Sequence, residues 1–341
     1  MNFLSFLEDE LRLQKPDSAA PVVVDLFAGC GGLALGFEAA GFKTIGYEMD
    51  EDACGTYSTN LHGVCHKTFL TPTSELANRA DVIIGGPPCQ PFSVGGLQEG
   101  MHDKRNGFPA FIGAIERYLP RVVIFENVRG MLYKNRAYLN VILDQLAAIG
   151  YRVECSVLNA VSFGVPQKRE RLIVVGHLGT WEWPRVRNQI FTAGDALGDI
   201  AHTIPEGSRF LTESMDRYVA KYEKASKCVR PRDLHLEEPS RTVTCRNLNG
   251  ATGDMLRILL PDGRRRRLSV REAARLQGFP DWYQFCGSES SQFNQIGNAV
   301  PPLLGKAIAT QVWKHLESTE VRNVQSGRGY RRDEQIQLQY N

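Results

Sequence analysis

The sequence predicts an α/β fold: a mostly parallel, doubly wound sheet with helices on both faces, joined to a smaller irregular region. Three observations carry that prediction. Strands and helices alternate through the first half of the 341 residues, the pattern of a parallel sheet. A glycine-rich turn, Gly29–Gly32, follows the first apolar strand and opens a helix. Further on, "GGPPCQPFS" (Gly85–Ser93) leaves the end of another strand on two rigid prolines.

Taken in order, "MNFLSFLEDELRLQK" predicts a short amphipathic helix. Its acids and its lack of a small-residue cleavage site argue against a signal peptide. "PVVVDLFAG" predicts a strand, "GGLALGFEAAG" a helix, "KTIGYEMD" a second strand and "EDACGTYSTNLHG" a second helix. "ADVIIGG" predicts the third strand, "GFPAFIGAIERYLP" a helix and "RVVIFENV" the fourth strand. "RAYLNVILDQLAAIG" carries Leu139, Ile142, Leu143, Leu146 and Ile149 on one helical face. "YRVECSVLNA" and "RLIVVGHL" predict two more strands. Near Trp181 the alternation stops, which predicts one domain over 1–180, completed by 292–325, and a second, smaller, irregular one over 181–291. Residues 326–341 read as a frayed polar tail.

The composition, 43% hydrophobic and 23% charged, is that of an ordinary globular protein, and no apolar run is long enough for a membrane span. The formal net charge is +2, but "DGRRRRLSVREAAR" (262–275) concentrates six arginines, which predicts a local basic surface suited to nucleic acid. The eight cysteines form no Cys-x-x-Cys pair and predict reduced thiols in a cytoplasmic setting. His62, Cys65 and His66 match no common zinc spacing, so no metal is expected.

The glycine turn departs from G-x-G-x-x-G and lacks the G-K-[ST] ending of a triphosphate loop. An acid at the end of the next strand, Glu48, is placed for two ribose hydroxyls. Glycine loop plus ribose acid without a phosphate fingerprint predicts a nucleoside cofactor, with S-adenosylmethionine the foremost candidate. Cys89 and Glu126 ("FENVRGM") both fall at the carboxyl edge of the sheet, where open α/β sheets bind ligands. In "GVPQKRERLIVVG", Gln167, Arg169 and Arg171 alternate, which predicts one shared face.

These motifs, with "REAARLQGFP" and "QIGNAVPP" in the same order, resemble the DNA cytosine-5 methyltransferases of bacterial restriction-modification systems. The resemblance spans nearly the whole chain. It implies a Rossmann-like, S-adenosylmethionine-dependent methyltransferase fold, with S-adenosylhomocysteine as product. It also implies double-stranded DNA as partner, a cognate endonuclease in the same system, a monomer, and a cytoplasmic, nucleoid-associated place in a bacterium.

By the same resemblance Cys89 is the thiolate that adds to carbon 6 of cytosine, with Glu126, Arg171 and the supporting Arg169 as its catalytic company. Cofactor binding is implied for Phe27, Ala28, Gly29, Cys30, Gly31, Gly32, Leu33, Glu48, Met49, Pro87, Asn298 and Val300. DNA binding is implied for Gln90, Ser93, Arg105, Gln167, Arg241, Thr242 and Thr244, with Arg230, Arg232 and Arg246 as further candidates. Residues 91–107 read as a lid over a flipped base. Two positions depart from the family's pattern: Thr68 stands where an adenine-binding aspartate is usual, and Gly95 where a gap-filling serine is usual. The rival readings are a methyltransferase acting on tRNA, a silent DNA-binding relative, and a Rossmann dehydrogenase.

Overall fold

The centre of the sheet is β1 (Val22–Leu26), buried from Val23 to Leu26 because both its faces are covered. The computed structural model describes residues 2–76, 79–88, 106–227, 232–250, 253–320 and 336–340. Ahead of β1 lies α1 (Phe3–Glu10), capped by the Asn2 side chain. Then come α2 (Gly32–Glu38), β2 (Lys43–Glu48), α3 (Glu51–Asn60), β3 (Val64–Lys67) and β4 (Val82–Gly85). The first half closes with α4 (Phe108–Tyr118), β5 (Val122–Val128), α5 (Arg136–Ile149), β6 (Arg152–Asn159), β7 (Gln167–Lys168) and β8 (Glu170–His177).

The strands order as β12–β6–β8–β5–β4–β1–β2–β3, where β12 is Ile336–Tyr340. Only β8 runs against its neighbours, so the sheet is mostly parallel. Two strands differ from expectation. β3 pairs along β2 although just one of its residues, Cys65, is buried, which leaves too little pattern to read as a strand. Ile336–Tyr340 pairs parallel to β6 where a frayed tail is predicted; its Ile-Gln-Leu-Gln-Tyr alternation is a strand pattern, too short to stand out after the polar run before it.

Both faces of the sheet are covered. Phe111 and Ile115 of α4 and Leu139 and Leu143 of α5 pack on Ile83, Val123 and Phe125. On the other face, Phe37 of α2 meets Leu304, Ile308 and Val312 of α11 (Pro302–Glu320) above Val23, Val82 and Ile124. Among the described residues no helix is long and apolar enough to cross a membrane.

The region after Trp181 holds α6 (Ala193–Leu197), α7 (Glu213–Ala225), β9 (Ser240–Arg241), α8 (Cys245–Asn249), the hairpin β10 (Arg257–Leu259) and β11 (Arg265–Arg267), and α9 (Val270–Gln277). α10 (Glu289–Asn298) then leads into α11. Phe191, Leu197, Leu276, Phe279 and Tyr283 share one apolar cluster with Phe3, Phe6 and Leu7 of α1 and with Cys30 and Tyr57. The predicted short amphipathic helix is thus part of the joint between the two regions.

The six arginines of 262–275 do not form the predicted basic surface. Arg266 is fully buried, donating to both carboxylate oxygens of Glu272 at 2.8 and 2.7 Å. Arg265 meets Asp233 and Asp216, and Arg264 pairs with Asp262 while covering the Phe210 ring. Arg267 donates to the Leu248 carbonyl, Arg271 to those of Pro280 and Tyr283, and Arg275 binds Asp281. A guanidinium has five donors in a rigid fork, so it can tie loops that lack a ladder of their own.

α2 and α11 approach so closely that a methyl group on Gly36 would lie 2.3 Å from the Lys306 nitrogen and 2.6 Å from the Pro302 carbonyl oxygen. Those are backbone atoms and cannot swing aside. Alanine ordinarily stabilises a helix interior relative to glycine, but here Gly36→Ala is expected to destabilise the fold by about 2–3 kcal/mol. Urea unfolding checks the sign: a midpoint at or above that of the parent would mean the contact is not close.

Candidate active site

The chain leaves β1, crosses to β2 and β3, and returns to β4 and β5 on the other side, so the sheet divides at the carboxyl end of β1. A cleft of about 950 Å³ opens there. Its walls come from the ends of β1, β2, β4 and β5 and from α10 with the segment that follows it.

The glycine loop forms one wall. Phe27 is held at φ +59°, left-handed backbone that a residue with a side chain rarely adopts. Gly29 at φ +53° and Gly31 at φ +83° continue the turn, and Gly31 caps α2. Glu48 holds this loop: its Oε2 accepts from the Gly29 N–H, and its Oε1 from those of Met49 and Asp50, at 2.8, 2.8 and 2.9 Å. Gly32 faces the opposite wall, where a methyl group would come within 2.4 Å of the Val300 carbonyl oxygen.

Of the predicted cofactor residues, Phe27, Ala28, Gly29, Cys30, Gly32, Leu33, Glu48, Met49, Pro87, Asn298 and Val300 all line the cleft. Gly31 does not; it turns instead toward Tyr57, Leu61 and Tyr283 behind the loop. Thr68 is also outside the lining, and its N–H donates to the Glu48 carbonyl. Asp25, Asp50, Asp52, Asn127, Ser290 and Asn294 line the cleft without having been nominated. Asn127 had a signal in the sequence, its place between Glu126 and Val128. Its Nδ2 donates to the Pro87 carbonyl at 3.1 Å and ties the two prolines to the end of β5.

Glu126 lines the cleft, and its Oε1 lies 2.7 Å from the Arg171 Nε, with both side chains about 12% exposed. The register explains the meeting, because antiparallel pairing sets Val128 opposite Arg171 at the ends of β5 and β8. Arg169 lies close enough for the charges of Arg171 and Glu126 to act on it, but its hydrogen bonds go elsewhere. Arg169 is buried, and its guanidinium donates to the carbonyls of Val243 at 2.7 Å, Gly297 at 3.2 Å and Ala299 at 2.9 Å.

The shared face expected of Gln167, Arg169 and Arg171 is corrected. The strand breaks at Arg169: β7 pairs with β9, whereas β8 pairs with β5 and β6. Gln167 is fully buried, its Nε2 donating to the Gln277 Oε1 at 2.6 Å and its Oε1 accepting from the Val243 N–H at 2.8 Å. It is therefore closed to DNA in this structure.

Arg232 and Arg241 share Asp254, at 3.1 and 2.9 Å. Thr242 donates to the Lys168 carbonyl, and Thr244 caps α8 by accepting from the Asn247 N–H. The Arg246 side chain stays 76% exposed. Cys89, Gln90, Ser93, Gly95, Arg105 and Arg230 lie outside the described residues.

Cys30 and Cys155 are poor nucleophiles. Burial is the main cause pushing Cys30 up to about 12 and Cys155 up to about 11. Among the described residues no three His, Cys, Asp or Glu side chains gather as metal ligands do.

Comparison with known proteins agrees with this geometry. The family model described as C-5 cytosine-specific DNA methylase matches residues 22–314. The Type II methyltransferase M.AplI of Arthrospira platensis is 60% identical over 320 residues, 93% of each chain. M1.HphI of Haemophilus parahaemolyticus, also a Type II methyltransferase, is 35% identical over 85% of this chain and 86% of its own. A DNMT2 variant of Spodoptera frugiperda shares the fold with a TM-score of 0.66 at 18% identity, covering 87% of this chain and all of that one.

Asp25 yields a pH test. It is 2% exposed, and its Oδ2 has no hydrogen-bond partner among the described residues. Burial first, and the nearby Glu48 charge second, hold its carboxyl well above the usual range. Above about pH 4 the unfolded chain releases this proton while the folded one retains it, so the group's cost to stability grows as pH rises. Asp25→Asn keeps the shape without the charge. It is expected to raise the Tm of the ligand-free protein, by an amount that increases from about pH 5 upward. Melting curves across that range decide it: a gain that does not depend on pH would mean the carboxyl titrates normally.

Proposed function

The chain belongs to the C-5 cytosine-specific DNA methylase family, and from that premise we propose that it methylates carbon 5 of a cytosine flipped out of a short, specific duplex sequence, through a covalent bond from Cys89 to carbon 6. It is a cytosine-5 DNA methyltransferase of Type II restriction-modification type. One observation carries the finer reading: a single cleft collects the glycine loop, Glu48, Glu126 and the Pro87–Pro88 ledge that immediately precedes Cys89.

The residues suit S-adenosylmethionine. The cofactor is cationic at sulfur, and the cleft offers Glu48, Asp50 and Asp52, with the protonated Asp25 beside them bringing a buried oxygen that lacks a partner. Phe27 and Met49 supply apolar surface for the adenine, and Glu48 retains lone pairs for the ribose hydroxyls. When bound, the cofactor supplies an electrophilic methyl group.

Everything else falls to the chain. Carbon 5 of cytosine is a weak nucleophile, and a thiolate bond to carbon 6 turns it into an enamine carbon able to take the methyl. Loss of the carbon 5 proton to a base then expels the thiolate and restores the ring. Glu126 is the group to hold N3 and the exocyclic amine, and Arg171 orients that carboxylate as charge develops in the ring. Asn127 fixes the proline ledge; a displacement of the nucleophile by about 1 Å can cost about 100-fold in rate.

Target reading is proposed for the region 181–291. Arg232, Arg241 and Arg246 all pair with Asp254, at 3.1, 2.9 and 4.0 Å, and Arg246 is the most exposed of the three. A cognate endonuclease in the same system follows from the restriction-modification type.

The test is transfer of labelled methyl groups from S-adenosylmethionine to unmethylated genomic DNA, beside a tRNA sample, followed by bisulfite sequencing. Label is expected at carbon 5 of cytosine within one short sequence. Cys89→Ala is expected to abolish it, and Glu126→Gln to lower the rate about 100- to 10,000-fold. Label confined to tRNA, or undiminished in Cys89→Ala, would sink the reading.

A further inference from the structure

Cys245 sits behind the cleft wall in a segment the mechanism does not use. It opens α8, whose first turn is pinned by a reciprocal cap between Thr244 and Asn247. Its half-buried thiol lies 2.9 Å from the Asn298 Oδ1 and 3.3 Å from the Asn294 carbonyl oxygen. Both asparagines line the cleft.

The backbones behind this contact are pressed together. A methyl group on Gly297 would come within 2.2 Å of the Cys245 nitrogen. Arg169 ties the Val243 carbonyl to those of Gly297 and Ala299, so the strands of chain on either side of the thiol cannot slide apart. Asn298 is the last residue of α10, and its side chain is exposed. Without a partner it would be free to rotate.

We propose that Cys245 is a positioning residue for cofactor binding: its thiol donates to the Asn298 Oδ1 and so leaves the amide's two N–H groups to the cleft. The thiol has one hydrogen and two oxygens within reach; placing it on the nearer, the Asn298 Oδ1, turns the amide's NH₂ toward the cleft. Burial, the largest influence, raises the Cys245 proton affinity and keeps the group a donor. The contact also joins the segment containing Thr242 and Thr244, proposed to approach DNA, to the cofactor wall. The proposal rests on reading the cleft as a cofactor site.

The experiment is calorimetric titration with S-adenosylhomocysteine, with thermal melting of each variant as a check on folding. Cys245→Ala is expected to weaken binding about three- to tenfold, the effect of one hydrogen bond. Cys245→Ser keeps a donor and is expected to return within about twofold of the parent. In an Asn298→Ala background, Cys245→Ala is expected to add nothing, because the group it positions is gone. Parent-like binding by Cys245→Ala, or a serine variant as weak as the alanine one, would overturn the proposal. So would an equal loss in both backgrounds. If the parent itself fails to bind S-adenosylhomocysteine, the cofactor reading falls and takes this proposal with it.

Discussion

The site depends on one buried guanidinium. Arg169 reaches three backbone carbonyls, Val243, Gly297 and Ala299, from chain segments far apart in sequence. Around it Gln167 and Gln277 complete the net, the Gln277 Nε2 donating to the Ala299 carbonyl at 2.6 Å. Burial and the neighbouring Arg171 charge both disfavour its proton, in that order. The three carbonyls offset that cost, and losing them would strand a buried charge. The result is that β8, the recognition segment and the last cleft wall keep one geometry.

Much of the fold was legible because it rests on repetition. Buried strands such as Val82–Gly85 and Val122–Phe125 are apolar runs ended by glycine or by polar residues, and α5 shows its inward face at helical spacing. The cleft was legible for a related reason. Its lining falls at strand ends, and the order of the strands puts those ends together.

What escaped the sequence was side-chain partnership. Arg266, Arg267 and Arg241 read as cationic surface, yet each spends its donors inside the protein, on Glu272, on the Leu248 carbonyl and on Asp254. Nothing in a run of arginines distinguishes a phosphate from a carbonyl as partner, since both are oxygen acceptors. Gln167 and Arg169 escaped differently: alternation assigns faces only while a strand continues, and here it breaks at Arg169 itself. Asp25 escaped because one acid within an apolar strand gives no sign of whether it is buried unpartnered.

The close approach of Gly32 to Val300 bears on how the protein is made. The glycine loop is translated early, whereas Asn298, Ala299 and Val300, which complete the cleft, emerge from the ribosome some 260 residues later. At about 5–20 residues per second the delay is of order ten seconds to a minute. During that interval the nascent chain already carries the strand ends and the thiol, but the pocket has no far wall. The pocket therefore becomes whole only once residues 298–300 have been made and can meet the glycine loop.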